Sequence, residues 1–364
     1  MNERQGPLAN LKVLEFAGIG PVPFCGMLLS DLGADVVRID RPGTSYDRFA
    51  IEARGRRPVA LDLKSPEGRE TALALADKSA ILIEGFRPGV MERLGLGPDV
   101  IHRRNRRLVY GRMTGWGQTG PYAGLGGHDI NYVALTGALH GIGTQAQPVP
   151  PLNLIGDFGG GALYLAFGLL AALRHAEATG EGQVIDCAMT DGTIGLMSLL
   201  YGHLARGTWQ DERGVNIIDG GSHFYNVYQC ADGQWIAFGS IEPPFYGVLL
   251  EGLGIKASDL PEQMDEAGWP RLKERIAQVV ATRPRAEWLA CFAGKDACVT
   301  PVLSMSDAPN DPHNCAREAF VTLDGVTQPA PAPRFSRTPG RIQHGPATAD
   351  AATHAQVLND WGVS

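Results

Sequence analysis

The stretch LKVLEFAGIGPVPFCGMLLSDLGADVVRID, residues 11–40, decides the fold class. Residues 11–16 (LKVLEF) form a short apolar run of strand length. Residues 24–32 (FCGMLLSDL) read as a helix closed by Gly33, and 35–39 (DVVRI) as the next strand. A strand, a helix and a strand in immediate succession make a βαβ unit, which implies a parallel sheet. The pattern continues downstream. Ser65 followed by Pro66 supplies a hydroxyl cap and then proline at the first helical position, and that helix runs to about Lys78. Residues 80–84 (AILIE) and 108–112 (LVYGR) are further strands.

After residue 157 the rhythm changes. A long apolar helix covers roughly 159–176, QVIDC at 183–187 is a strand, and another helix fills 191–206. Residues 225–240 read as a hairpin turning at Ala231-Asp232-Gly233, with helices around 244–253, 270–282 and 284–293. The expected architecture is α/β. A Rossmann-like large domain with a parallel sheet takes residues 1–200 with 325–364, and a smaller α+β domain takes 215–320, with linkers between them.

Composition excludes several classes. The 364 residues are 44% hydrophobic and 20% charged, ordinary for a globular chain, so disorder is confined at most to the Pro/Ala-rich stretch near 328–348. The start, MNERQGPLAN, lacks a signal-peptide pattern, and the end, WGVS, is not a peroxisomal address. The most apolar run, about 161–173, is short and glycine-interrupted, so no membrane span is expected and it reads as a buried helix. Six scattered cysteines without a C-x-x-C pair argue against a disulfide scaffold or a cysteine zinc site and fit a reducing, cytoplasmic setting. The net charge of −7 is uneven: residues 1–115 hold 18 Lys and Arg against 14 Asp and Glu. That local excess suits an anionic ligand or a solvated face equally, while nucleic acid is a poor fit to an acidic chain without a basic run.

The usual chemical signatures are missing. Pro23 stands where the third glycine of a dinucleotide fingerprint belongs after Gly18-Ile19-Gly20. P-loop, nucleophile-elbow, zincin and calcium-loop motifs are absent from the sequence, which leaves acid/base or carboxylate chemistry. Three segments set titratable groups among glycine and apolar residues: 126–132 with His128, 151–158 with Asp157, and 239–245 with Glu242.

Asp157 stands at the expected start of an apolar helix, where it serves equally as an N-cap or as a base beside an anion site, since Gly159, Gly160 and Gly161 let a ligand approach. His128 carries a proton near neutral pH, though a lone loop histidine is more often structural. Glu242, among Ile, Pro and Phe, either pairs with a histidine or caps the Pro-Pro-started helix after it.

The strings GRMTGWGQTGP (111–121), GHDINY (127–132), PLNLIGDFGGG (151–161), EGQVIDCAM (181–189), GSIEPPFY (239–246) and DACVTPVL (296–303) resemble, in order, the α-methylacyl-CoA racemases of the wider family III CoA-transferase group. The resemblance implies inversion at C2 of a 2-methylacyl-CoA through an enolate. His128, supported by Glu242, would be one base, and Asp157, with Asn153 beside it, would be the base on the opposite face. The thioester oxygen would sit near the helix start after Asp157.

It further implies a CoA site at Arg41, Arg54, Leu61, Asp62, Leu63, Lys64, Arg87 and Arg93. Gly127, Asp129, Ile130, Asn131 and Tyr132 complete that site, while Arg38 and Arg56 are weaker candidates. Arg forks and Lys point charges suit CoA phosphates. The implied partners are an acyl-CoA substrate and a second copy in an interlocked homodimer whose partner chain supplies Glu242. No cofactor beyond the substrate's CoA and no metal is implied. Pro244 stands where many relatives carry Gln, which touches substrate choice more than reaction type.

Two rivals use the same fold. A family III CoA transferase would employ Asp157 as a nucleophile and has no need of a second base opposite it. A non-catalytic CoA-binding protein would have no need of the set His128, Asn153, Asp157 and Glu242.

Overall fold

The computed structural model describes residues 4–363. The opening βαβ unit is realised by β1 (Lys12–Phe16), α1 (Pro21–Asp31) and β2 (Asp35–Asp40). β3 (Arg57–Ala60) follows, a strand the sequence reading missed. Its four residues include Pro58, which donates no ladder hydrogen bond and is tolerated because β3 lies at the sheet edge. Next come α2 (Pro66–Asp77), β4 (Ile81–Glu84), α3 (Val90–Arg93), α4 (Pro98–Arg104), β5 (Val109–Thr114), α5 (Asp129–Ala134) and α6 (Ala138–Gly141). Ser65 caps α2 as expected, its Oγ accepting the Gly68 N–H at 3.0 Å.

The apolar helix begins earlier than the sequence suggested. Leu154–Leu163 is a π-helical segment that runs directly into α7 (Tyr164–Thr179). The continuous helix Leu154–Thr179 is long and apolar enough to cross a membrane by length and composition, whereas the sequence reading took a shorter run as a buried helix. Only a third of its most apolar stretch is buried, although Leu165 and Leu169 are fully so. Then come β6 (Val184–Ala188), α8 (Met189–Leu196) and α9 (Ser198–Arg206), so the helix expected over 191–206 is interrupted at Met197. The remaining elements are β7 (Tyr225–Gln229), β8 (Trp235–Gly239), α10 (Pro243–Leu253), α11 (Trp269–Val280), α12 (Arg285–Phe292), β9 (Val299–Pro301), α13 (Pro312–Ala316), β10 (Phe320–Leu323), β11 (Val326–Pro329) and α14 (Ala351–Trp361).

The chain divides into two compact units. Among the described residues, the first comprises those up to 136, 152–197 and those from 315 onward, the second 137–151 and 198–314. Residues 137–151 thus cluster with the second unit, not with the large domain to which the sequence reading gave them.

The first unit holds a wholly parallel sheet ordered β3-β2-β1-β4-β5-β6. Alternate residues of β1 feed opposite cores. Leu14 and Phe16 pack with Val37, Leu82, Tyr110 and Trp361, while Val13 packs with Val36, Ile81, Val109, Leu165 and Leu169. Burial on both faces explains why these strands read as continuous apolar runs. The chain order reverses between β1 and β4, which opens a crevice beyond the carboxyl ends of those strands. In the second unit β7, β8 and β9 form an antiparallel sheet over a core of Phe224, Ile236, Phe238, Leu249, Trp269 and Trp288.

Two glycines fix the path of the long helix. A Cβ at Gly192 would lie 1.9 Å from the Gly160 carbonyl oxygen, and one at Gly160 would lie 2.5 Å from Thr193 Oγ1. The helix and α8 therefore touch backbone to backbone. Gly192→Ala is expected to lower stability by about 1–3 kcal/mol through overpacking, measured by denaturant unfolding.

Candidate active site

The crevice at the sheet's switch point is a cavity of about 500 Å³, built entirely within the first unit. Its floor follows three strands: Ile19 to Val22 after β1, Gly85 to Pro88 after β4, and Thr114 to Trp116 after β5. His128 enters from the residue before α5, Asp129 and Tyr132 from α5, Asp157 from the π-helical segment and Met189 from α8. His128 and Asp157, distant in sequence, thus line one cavity.

Asp157 does not cap its own helix. Asn153 holds the cap position, and Asp157 sits in the first turn, half-buried. Its backbone N–H donates to Asp129 Oδ1 at 2.7 Å, and the Gly156 N–H also donates to that carboxylate. These two donors therefore serve the Asp129 carboxylate. The Asp157 carboxylate has Gly20 beside it, where a Cβ would lie 3.0 Å from Oδ2, and Asn153 Nδ2 at 3.5 Å, the outer limit of a hydrogen bond. Burial raises its pKa above the usual carboxylate range and the Asp129 charge adds to that rise; the Asn153 contact and His128 oppose it. A carboxylate tuned upward is a stronger base near neutral pH.

His128 is the residue before α5. Its backbone N–H donates to Asn131 Oδ1 at 3.1 Å, so Asn131 pins the imidazole-bearing backbone. Tyr132 donates its hydroxyl to the Gly127 carbonyl in a very short hydrogen bond and meets Trp116 edge-on at 4.7 Å. A Cβ at Gly127 would lie 2.7 Å from the Tyr132 ring, so glycine is required there. Asn131 and Tyr132 act in this way as supports of the histidine loop, while Ile130 is exposed. Phe86, Trp116 and Met189 also line the cavity and were not picked out from sequence, although Trp116 and Met189 lie in motifs quoted above.

Glu242 is exposed at the cap position of α10 in the second unit. It holds the position before the Pro-Pro-started helix that the cap reading gave it, although its side chain makes no capping hydrogen bond. The second unit has its own cavity of about 870 Å³, lined among others by Tyr225, Asn226, Phe238 and Lys273, and Glu242 is not part of its wall.

The basic residues fall into two groups. Arg41, Lys64, Arg87 and Arg93 are exposed, and among the described residues none is neutralised by an ion pair. Arg87 lies in the cavity wall across Gly126. Arg54 differs. It is fully buried, pairs with Asp31 at 2.5 Å and donates at 2.8 Å to both Gln328 Oε1 and the Pro329 carbonyl. Arg56 is likewise committed to Glu15 at 2.6 Å and Arg38 to Asp40 at 2.8 Å. These three guanidiniums are internal struts and are not free to grip a phosphate. Leu61 is buried in the core and Leu63 packs partly against it. Asp62 accepts the Lys64 N–H at 3.0 Å, which shapes the loop that presents Lys64.

The CoA-transferase family III model matches residues 8–352. The chain is 45% identical to the alpha-methylacyl-CoA racemase of Mus musculus over 98% of this chain and 94% of that protein. It is 46% identical to the alpha-methylacyl-CoA racemase of Homo sapiens, over 91% and 87% respectively. Among solved structures, a CAIB/BAIF family protein from Brucella suis matches with a TM-score of 0.84 at 25% identity, covering 98% of this chain and 100% of that one.

The burial of Arg54 has a measurable consequence. Arg54→Ala strands Asp31 in the interior and should cost about 3–5 kcal/mol of stability, read by denaturant unfolding, instead of selectively raising KM. A stable variant with weakened acyl-CoA binding would contradict the strut assignment.

Proposed function

The chain belongs to CoA-transferase family III, and from that premise we propose that it racemises 2-methylacyl-CoA thioesters at C2 by a two-base proton transfer. The observation that carries this reading is the shared cavity: two side chains of different chemistry, His128 and Asp157, face one space beyond the sheet's carboxyl edge. The thioester acidifies the hydrogen on the adjacent carbon. One base removes it, a planar enolate forms, and the conjugate acid of the other base delivers a proton to the opposite face. In the reverse direction the two exchange roles. The chemistry needs no group beyond the substrate's CoA. Arg41, Lys64, Arg87 and Arg93 supply exposed positive charge suited to its phosphates.

The reading includes a cytoplasmic homodimer acting on branched acyl chains. An apolar surface supports a second copy. Leu154, Leu163, Tyr164 and Phe167 are exposed along the long helix, with Ile194 and Leu196 on α8. Exposed apolar residues concentrated on neighbouring helices mark an interface more often than a solvated face. In such a dimer the partner subunit's Glu242 supports His128.

CoA transfer with Asp157 as nucleophile is the alternative on this fold. Incubating an (R)-2-methylacyl-CoA in deuterated water separates the two. Inversion with deuterium entering C2, without any acceptor acid, is expected; a strict need for an acceptor acid refutes racemisation.

His128→Ala and Asp157→Ala should each lower kcat by about 10²–10⁴-fold with little change in acyl-CoA affinity, while Arg41→Ala should mainly raise KM. A His128→Ala enzyme at full rate contradicts the assignment.

The shared-site dimer has its own test. Co-expressing His128→Ala and Glu242→Ala chains, each impaired alone, should restore activity in the mixed dimer, because one of its two sites then holds both native residues. No restoration would argue that each chain completes its own site.

A further inference from the structure

We infer that Asp129 is a positioning residue: its carboxylate grips the backbone of Asp157 and so fixes one base relative to the other. This rests on the two-base reading and gives the site a part that reading lacks. Asp129 directly follows His128 at the start of α5, while its acceptor oxygens reach across 28 residues of sequence to the Asp157 and Gly156 N–H groups. Six residues, 127–132, therefore carry one base and hold the other.

The grip is built. A Cβ at Gly156 would lie 2.3 Å from Asp129 Oδ1 and 2.9 Å from Val133 Cγ2, so only glycine lets the π-helical segment close onto α5. Gly20 leaves room for the Asp157 carboxylate on the cavity side. The same geometry disfavours a direct role in holding CoA. The Asp129 carboxylate already accepts two backbone N–H groups, and its charge would repel phosphate.

Its charge also acts on Asp157. The groups facing that carboxylate are His128, Asp129 and Tyr132 from α5 and Asn153 from its own segment; α1 brings the Gly20 backbone, α8 brings Met189, and Arg87 lies in the same cavity wall. Among these, Asp129 favours the protonated form of Asp157. Removing the Asp129 charge at constant size should lower the pKa of Asp157.

The test is Asp129→Asn, with Asp129→Ser as the second variant should the first fail to fold. Two readouts are followed: titration of the Asp157 carboxyl by carbon-13 NMR, and kcat, KM and pH profiles for each substrate enantiomer. The Asp157 titration is expected to move to lower pH. kcat should fall by about 10²-fold, the cost of misplacing a base by about an ångström, with KM within about twofold. The acid limb should shift downward only in the direction in which Asp157 takes the proton. An unmoved Asp157 titration overturns the inference, as does a loss of activity expressed in KM and kcat together. A wild-type enzyme that fails to racemise, while the Asp157 titration still moves in the variant, would sink the two-base reading and leave the grip standing.

Discussion

A single carboxylate, that of Asp129, joins the segment that carries His128 to the segment that carries Asp157. It occupies the position where a helix start would otherwise leave two amides without acceptors. The arrangement satisfies backbone groups that burial would make costly and joins α5 to the long helix. It gives the π-helical turn a second fixed point, next to Asp157, besides the backbone contact with α8 at Gly160 and Gly192.

The electrostatics of the first unit divide between interior and surface. Arg38, Arg54 and Arg56 are buried with Asp40, Asp31 and Glu15, acids of the same stretch, so these pairs leave the basic excess of the first 115 residues as it stands. Such pairs contribute little net stability, yet breaking one leaves an isolated buried charge. They lie around β1, β2 and the approach to β3 and hold these together by directional bonds. Arg41, Lys64, Arg87 and Arg93 are exposed and lie outside these pairs.

Local signals were legible in the sequence. The Ser65 cap, the βαβ alternation and the hairpin turning near Gly233 are each specified within a few residues, and each forms where expected. β3 was hidden because its edge position tolerates a proline that would be excluded from a central strand. The roles of Arg54 and Asp129 were hidden for another reason. Their partners lie far along the chain, Asp31 at 23 residues, Gln328 at 274 and Asp157 at 28. No periodicity encodes such distances. The placing of His128 and Asp157 in one cavity was reached only through the family likeness. The glycines that make it possible, Gly20 and Gly156, looked like ordinary loop residues until their neighbours were known.

The first unit is assembled from three separated stretches, and its edge strand is completed late. Arg57 of β3 binds Asp360 of α14 at 2.6 Å, and Trp361 is buried against the same face of the sheet. On the ribosome, β3 therefore emerges roughly three hundred residues before the helix that covers it. Through most of synthesis that strand lacks the apolar cover that α14 supplies to one face of the sheet. Variants that slow or truncate the carboxyl-terminal helix would then show their damage as loss of yield during synthesis before any defect in turnover.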